Sequence, residues 1–105
     1  MKNIVPRVAA IHDISGFGRC ALTVIMPVLS TMGMQVCPVP TAVLSTHTGG
    51  FKDFSFHDLT DTMVDYIAHW KSLDLKFDCI YSGFLGSEHQ IDIVKDFIRD
   101  FKAEE

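Results

Sequence analysis

Hydrophobic residues along this chain alternate between short solid runs and helically spaced stripes, and the two kinds of pattern take turns. Val8-Ala9-Ala10-Ile11 is a solid apolar run that stops at His12-Asp13, followed by Ser15-Gly16-Phe17-Gly18. A run of this length predicts a strand buried on both faces and then a glycine-rich turn. From Cys20 to Met32 the apolar residues Leu22, Ile25, Met26, Leu29 and Met32 recur at helical spacing, with Gly33 where a C-terminal cap belongs. Pro27 lies inside that helix and should bend it, because it removes one backbone donor. Gln35-Val36-Cys37 opens a second strand, which Pro38 and Pro40 interrupt before Thr41-Ala42-Val43-Leu44 leads into a loop from Ser45 to Phe51.

Asp58 is placed to cap a second helix with Leu59, Met63, Tyr66, Ile67 and Trp70 on one face. Phe77-Asp78-Cys79-Ile80-Tyr81 reads as the third strand, ending at Ser82-Gly83. Ser87-Glu88-His89-Gln90 has the form of a capping box, opening a helix with Ile91, Val94, Phe97, Ile98 and Phe101 inward. The order is β-α-β-α-β-α, a Rossmann-like α/β unit whose strands run parallel through right-handed crossovers. In such sheets ligands bind beyond the carboxyl ends of the strands. Those ends, Asp13 to Arg19, Ser45 to Phe51 and Ser82 to Gly86, are rich in Gly, Ser and Thr and should converge on one mouth.

Composition narrows the picture. The 105 residues are 48% hydrophobic, enough to bury a core, and the net charge of −4 does not suit a nucleic-acid surface. Cys20, Cys37 and Cys79 are odd in number and widely spaced, a pattern of reduced thiols expected in a cytoplasmic protein. Each apolar stretch is broken well short of a bilayer span, so no membrane partner is expected. The five histidines show no metal-ligand spacing.

Three segments could carry chemistry. Asp13-Ile14-Ser15-Gly16-Phe17-Gly18-Arg19 lets backbone approach a ligand, or is a tight turn with Asp13 or Ser15 as a helix cap. It lacks the third glycine of a dinucleotide fingerprint and the Gly-Lys-Ser/Thr ending of a P-loop. Ser45-Thr46-His47-Thr48-Gly49-Gly50-Phe51 offers hydroxyls and an imidazole to a polar ring, or is a surface loop. Phe84, between Gly83 and Gly86, could stack on a flat ligand or belong to the core.

Together, in this order, these segments resemble the start of the pyridoxal/pyridoxine/pyridoxamine kinases. Ser45-x-His47-Thr48-Gly49 matches that family's Ser-x-His-Thr-Gly loop, and Ser82-Gly83-Phe84-Leu85-Gly86 matches its Ser/Thr-Gly-Tyr segment. The resemblance runs from about Arg7 to Phe101, is specific at the His-Thr-Gly loop and loose elsewhere. It implies a ribokinase-like fold, here only in part, and ATP-dependent phosphorylation of the 5′-hydroxymethyl group of a B6 vitamer. Carried over by position, Asp13, Cys20, Leu44, His47, Thr48 and Phe84 match substrate-contacting positions. Two departures bear on the substrate. Asp13 stands where the family has serine, and Asp13-x-Ser15-Gly16 is similar to the hydroxymethylpyrimidine kinases of thiamin synthesis; Phe84 stands in place of tyrosine.

The resemblance also implies that residues 1–105 are the substrate-side part of a longer kinase. The nucleotide site, with its ATP and Mg2+, and the catalytic aspartate of a Gly-x-Gly-Asp loop are expected beyond Glu105. The chain alone is then expected to be inactive, with one sheet edge and one face uncovered, and to be a truncated form, a proteolytic remnant or an incomplete reading frame. The whole protein is expected to pair as a homodimer. The alternative outside this family is a non-catalytic flavodoxin-like binding module. Its receiver-domain version is weak, because Ser82-Gly83 stands where a phosphate-accepting aspartate should lie.

Overall fold

The computed structural model describes residues 5–18, 21–46, 52–83, 85 and 87–101. Their elements are β1 (Arg7–Phe17), α1 (Leu22–Thr31), β2 (Gln35–Thr46), β3 (Phe56–Asp58), α2 (Thr60–Ser72), β4 (Cys79–Ser82) and α3 (Glu88–Phe101). They build one sheet in the order β3-β2-β1-β4. β1 runs parallel to both β2 and β4, the α/β arrangement expected from the alternating pattern. β3 is an addition: a three-residue strand antiparallel to β2, pairing Ala42 with Asp58 and Leu44 with Phe56.

Two strands outrun their sequence signals. β1 continues six residues past Ile11, so Ser15-Gly16-Phe17 is extended rather than a turn. The reason lies next door: β2, with 12 residues to the 11 of β1, offers partners as far as Phe17↔Thr46. β2 itself passes through Pro38 and Pro40 without a break. Both prolines share one parity, and the Pro38 carbonyl accepts a hydrogen bond from the Tyr66 hydroxyl (2.5 Å) instead of a strand. The missing N–H groups therefore fall on the side of β2 where β3 has not yet begun.

The core lies between the sheet and the α2/α3 layer, with Ala9, Ile11 and Val39 meeting Met63, Ile67, Val94, Phe97 and Phe101. Burying each large side chain contributes about 1.5–3 kcal/mol. Phe77 is buried but precedes β4, which starts at Cys79; its ring packs against Trp70, Phe97 and Phe101 at centroid distances of 5.3, 5.9 and 5.6 Å. The α2 face is the expected one. The α3 face is the expected one in part: Val94, Phe97 and Phe101 point inward, joined by Gln90, while Ile91 and Ile98 are exposed.

Gln90 explains the difference. Its backbone N–H reaches Ser87 Oγ at 3.3 Å, half of the expected capping box. Its side-chain Nε2 donates to the Thr41 carbonyl at 3.0 Å and to Thr60 Oγ1 at 3.1 Å, joining α3 to β2 and α2 in the interior. Asp58 likewise stands just ahead of its helix, where its carboxylate accepts the Thr60 N–H at 2.7 Å. Pro27 lies within α1 and Gly33 follows that helix with a φ of 89°, a left-handed conformation suited to glycine.

The other face is thinly covered. Of the α1 stripe only Leu22 is buried, and Met26 and Met32 are exposed. On β4, Cys79 and Tyr81 are exposed, and among the described residues no strand lies beyond β4.

Candidate functional site

Because β2, β1 and β4 are parallel, their carboxyl ends share one edge of the sheet. The β4 end is tied there by the Gly83 N–H, which donates to the Ile11 carbonyl at 2.9 Å. The β2 end is tied by Ser45, which exchanges backbone and side-chain hydrogen bonds with Ser55 at 3.0 and 2.8 Å. Asp13 stands on β1 between them.

Asp13 is 9% exposed and Ser15 1%. Asp13 Oδ1 lies 2.6 Å from His12 Nδ1, and Oδ2 lies 3.5 Å from the Ser15 hydroxyl. Adjacent residues of a regular strand point to opposite faces. The His12–Asp13 contact sits where the β1–β2 register shifts, two steps from His12 to Ile14 on β1 facing three from Pro40 to Val43 on β2. The His12 ring also stacks on Tyr81, with planes 11° apart and centroids 6.3 Å apart. Beneath it lies Gly83, whose missing side chain leaves the space that the imidazole fills.

Of the residues matched by position, Asp13 lies within β1 rather than at its end, four residues before Phe17 and two past Ile11, whose partner Ser82 closes β4. Leu44 is buried on β2 opposite Ser15. Cys20, His47, Thr48 and Phe84 lie outside the described residues. His12, Tyr81 and Gly83 were not among the expected site residues. The pairing of His12 with Asp13 had no periodic signal, since a strand pattern separates neighbours. Thr46 Oγ1, at the end of β2, is buried with no hydrogen-bond partner among the described residues.

Elsewhere, a cavity of about 150 Å³ lies at the opposite end of the sheet, near Lys71, Lys76 and Asp100. Its charges are already paired, Lys71 with Asp100 and Lys76 with Asp74, each at 3.2 Å. It offers no free group for chemistry. Among the described residues no cluster of three His, Cys, Asp or Glu side chains could hold a metal ion, and no helix is long and apolar enough to cross a membrane.

No protein-family profile matches the chain, and no curated protein sequence does. Solved structures do. A candidate phosphomethylpyrimidine kinase from Bacteroides thetaiotaomicron superposes with a TM-score of 0.94 and 58% identity, covering 98% of this chain and 35% of that one. A second crystal form of that protein, with pyridoxal, gives 0.90 and 60% identity over 94% of this chain and 34% of the other. The pyridoxal kinase of Lactobacillus plantarum gives 0.87 and 29% identity, covering 95% and 36%. These likenesses are consistent with the ribokinase-like family of B6 kinases, of whose fold the chain has a part.

It spans about a third of the length of the solved structures that it matches. The pyridoxal kinase of Staphylococcus aureus, in complex with AMP-PCP, shares the fold (TM-score 0.81) at 14% identity, covering 97% of this chain and 36% of that one. The likeness to kinases thus joins a sheet on whose central strand Asp13 lies in contact with His12.

Proposed function

We propose that this chain is the substrate-side part of a kinase that transfers a phosphoryl group from ATP to the 5′-hydroxymethyl group of a vitamin B6 vitamer. What carries this reading is a nearly buried carboxylate, Asp13, on β1 just past the end of its parallel neighbour β4, in a chain 60% identical to a structure solved with pyridoxal. The role proposed for Asp13 is to accept a hydrogen bond from a hydroxyl or amino donor of the heterocycle, which orients the ring. Leu44 supplies apolar wall. Cys20, His47, Thr48 and Phe84 are proposed to complete the cup. Nucleotide and Mg2+ are assigned to residues that follow Glu105 in the whole protein, as is the catalytic aspartate. ATP supplies the phosphoryl group, and this chain's part is to hold the acceptor. Phosphoryl transfer depends on positioning and charge stabilisation, so this chain alone is inactive under this reading.

The hydroxymethylpyrimidine kinase reading is favoured by Asp13-x-Ser15-Gly16 and by the description of the Bacteroides protein. Both substrates offer Asp13 a donor. Incubating the intact protein with ATP and each of pyridoxal, pyridoxamine and hydroxymethylpyrimidine, with chromatographic detection of phosphorylated product, separates the readings. Phosphorylation of a vitamer at the greater kcat/KM supports the first. Turnover of the pyrimidine alone supports the second, and turnover of none defeats both. We further propose that the whole protein works as a cytoplasmic homodimer, which light scattering on the intact protein checks.

A further inference from the structure

We infer that His12 is the positioning residue for Asp13, fixing one carboxylate oxygen so that the other serves the ligand, an inference resting on the proposed role of Asp13. His12 Nδ1 stands 2.6 Å from Asp13 Oδ1, and the Asp13 backbone N–H points at the same nitrogen at 2.9 Å. One ring nitrogen cannot donate and accept in its own plane at once. Two lone pairs facing each other at 2.6 Å would repel, so a proton lies between Nδ1 and Oδ1. The shorter, charge-assisted contact decides, with Nδ1–H donating to the carboxylate. Oδ1 is thereby engaged. Among the described residues Oδ2 has only the 3.5 Å approach of Ser15 Oγ, and keeps lone pairs for a donor on the ligand.

The ring is held for this task from two sides. Tyr81 stacks on it, and a Cβ at position 83 would stand 1.8 Å from His12 Cδ2 and 2.1 Å from Nε2. Position 83 is therefore glycine because the imidazole occupies the space. A histidine that merely filled space would not need Nδ1 aimed at the carboxylate.

Kinetics of the intact protein with its phosphorylated substrate, and 15N NMR of His12, test this together. His12→Phe keeps an aromatic ring and removes the donor, and is expected to raise KM roughly tenfold or more while kcat stays within about twofold. His12→Asn places an amide N–H near the Nδ1 position and is expected to restore KM; His12→Gln, whose amide sits near Nε2, is not. In the wild type without substrate, the Nδ1 resonance is expected to be that of a protonated nitrogen, and to change in Asp13→Asn. A bare Nδ1, or an unchanged KM in folded His12→Phe, overturns the inference. Should His12→Phe fail to fold, the Asn–Gln contrast and the wild-type resonance still decide it. If no substrate is turned over, the proposed function fails, while the resonance decides the His12–Asp13 pair separately.

Discussion

The His12 imidazole occupies the position where a side chain on Gly83 would begin, with Cδ2 1.8 Å from the site of the missing Cβ. The neighbouring backbone cannot give way freely, because the Gly83 N–H is bonded to the Ile11 carbonyl on the adjacent strand. Gly83→Ala is therefore expected to expel the ring from its place beside Asp13. Overpacking of this kind costs about 1–3 kcal/mol. A thermal melt should show the loss, and substrate KM should rise as in His12→Phe. An alanine variant with wild-type stability and KM would show that the ring has another place to go.

Gln90 is the one polar side chain in the inward stripe of α3, and it is only 1% exposed. Gln90→Ala removes two hydrogen bonds that join three elements and leaves a void among them. A loss of roughly 2 kcal/mol follows from a net contribution of about 1 kcal/mol per bond. In urea the midpoint should fall with the slope unchanged.

Tyr66 seals β2 by donating to the Pro38 carbonyl, where no strand can. Tyr66→Phe should cost about 1 kcal/mol in the same assay. Burial pushes the Tyr66 phenol above its usual 10.0, and the nearby Cys37 thiol adds to the rise. A group raised in the fold contributes stability that is present below its unfolded value and lost as the pH climbs toward the folded one. The wild type should therefore weaken above about pH 10 more steeply than Tyr66→Phe, a difference that alkaline denaturation curves would reveal.

At the other extreme of pH, hydrogen bonds from the Thr60 hydroxyl and backbone hold the Asp58 carboxyl below its usual 3.8. Its contribution is present above that value and disappears as the pH falls through the lower folded one. Thr60→Val removes the hydroxyl donor. Acid unfolding followed by circular dichroism should then show a shallower loss of stability below about pH 4 than in the wild type.

How far the sequence disclosed all this depended on which interaction decided each element. The buried run Val8–Ile11, the α2 face from Met63 to Trp70 and the parallel order follow from local periodicity, and the structure has them. Features set by a neighbouring chain segment were not legible. The prolines of β2 count against a strand until Tyr66 and the late start of β3 show that their missing donors are not needed. Gln90 reads as a cap residue until Thr41 and Thr60 come within its reach. In the site, Asp13 was visible as an acid following the Val8–Ile11 run, though β1 carries on past it. Its contact with His12 was not, because a regular strand sends neighbouring side chains to opposite faces.

The central claim is that the strand ends around Asp13 orient a B6 vitamer for phosphorylation. Its most direct test is a competition: the intact protein, ATP, and equal pyridoxal and hydroxymethylpyrimidine, with products followed by 31P NMR in wild type and Asp13→Asn. The account predicts that pyridoxal 5′-phosphate dominates in the wild type and that its formation at subsaturating substrate drops roughly tenfold or more in the variant. Equal rates in the two proteins, or phosphorylation of the pyrimidine alone, would contradict it.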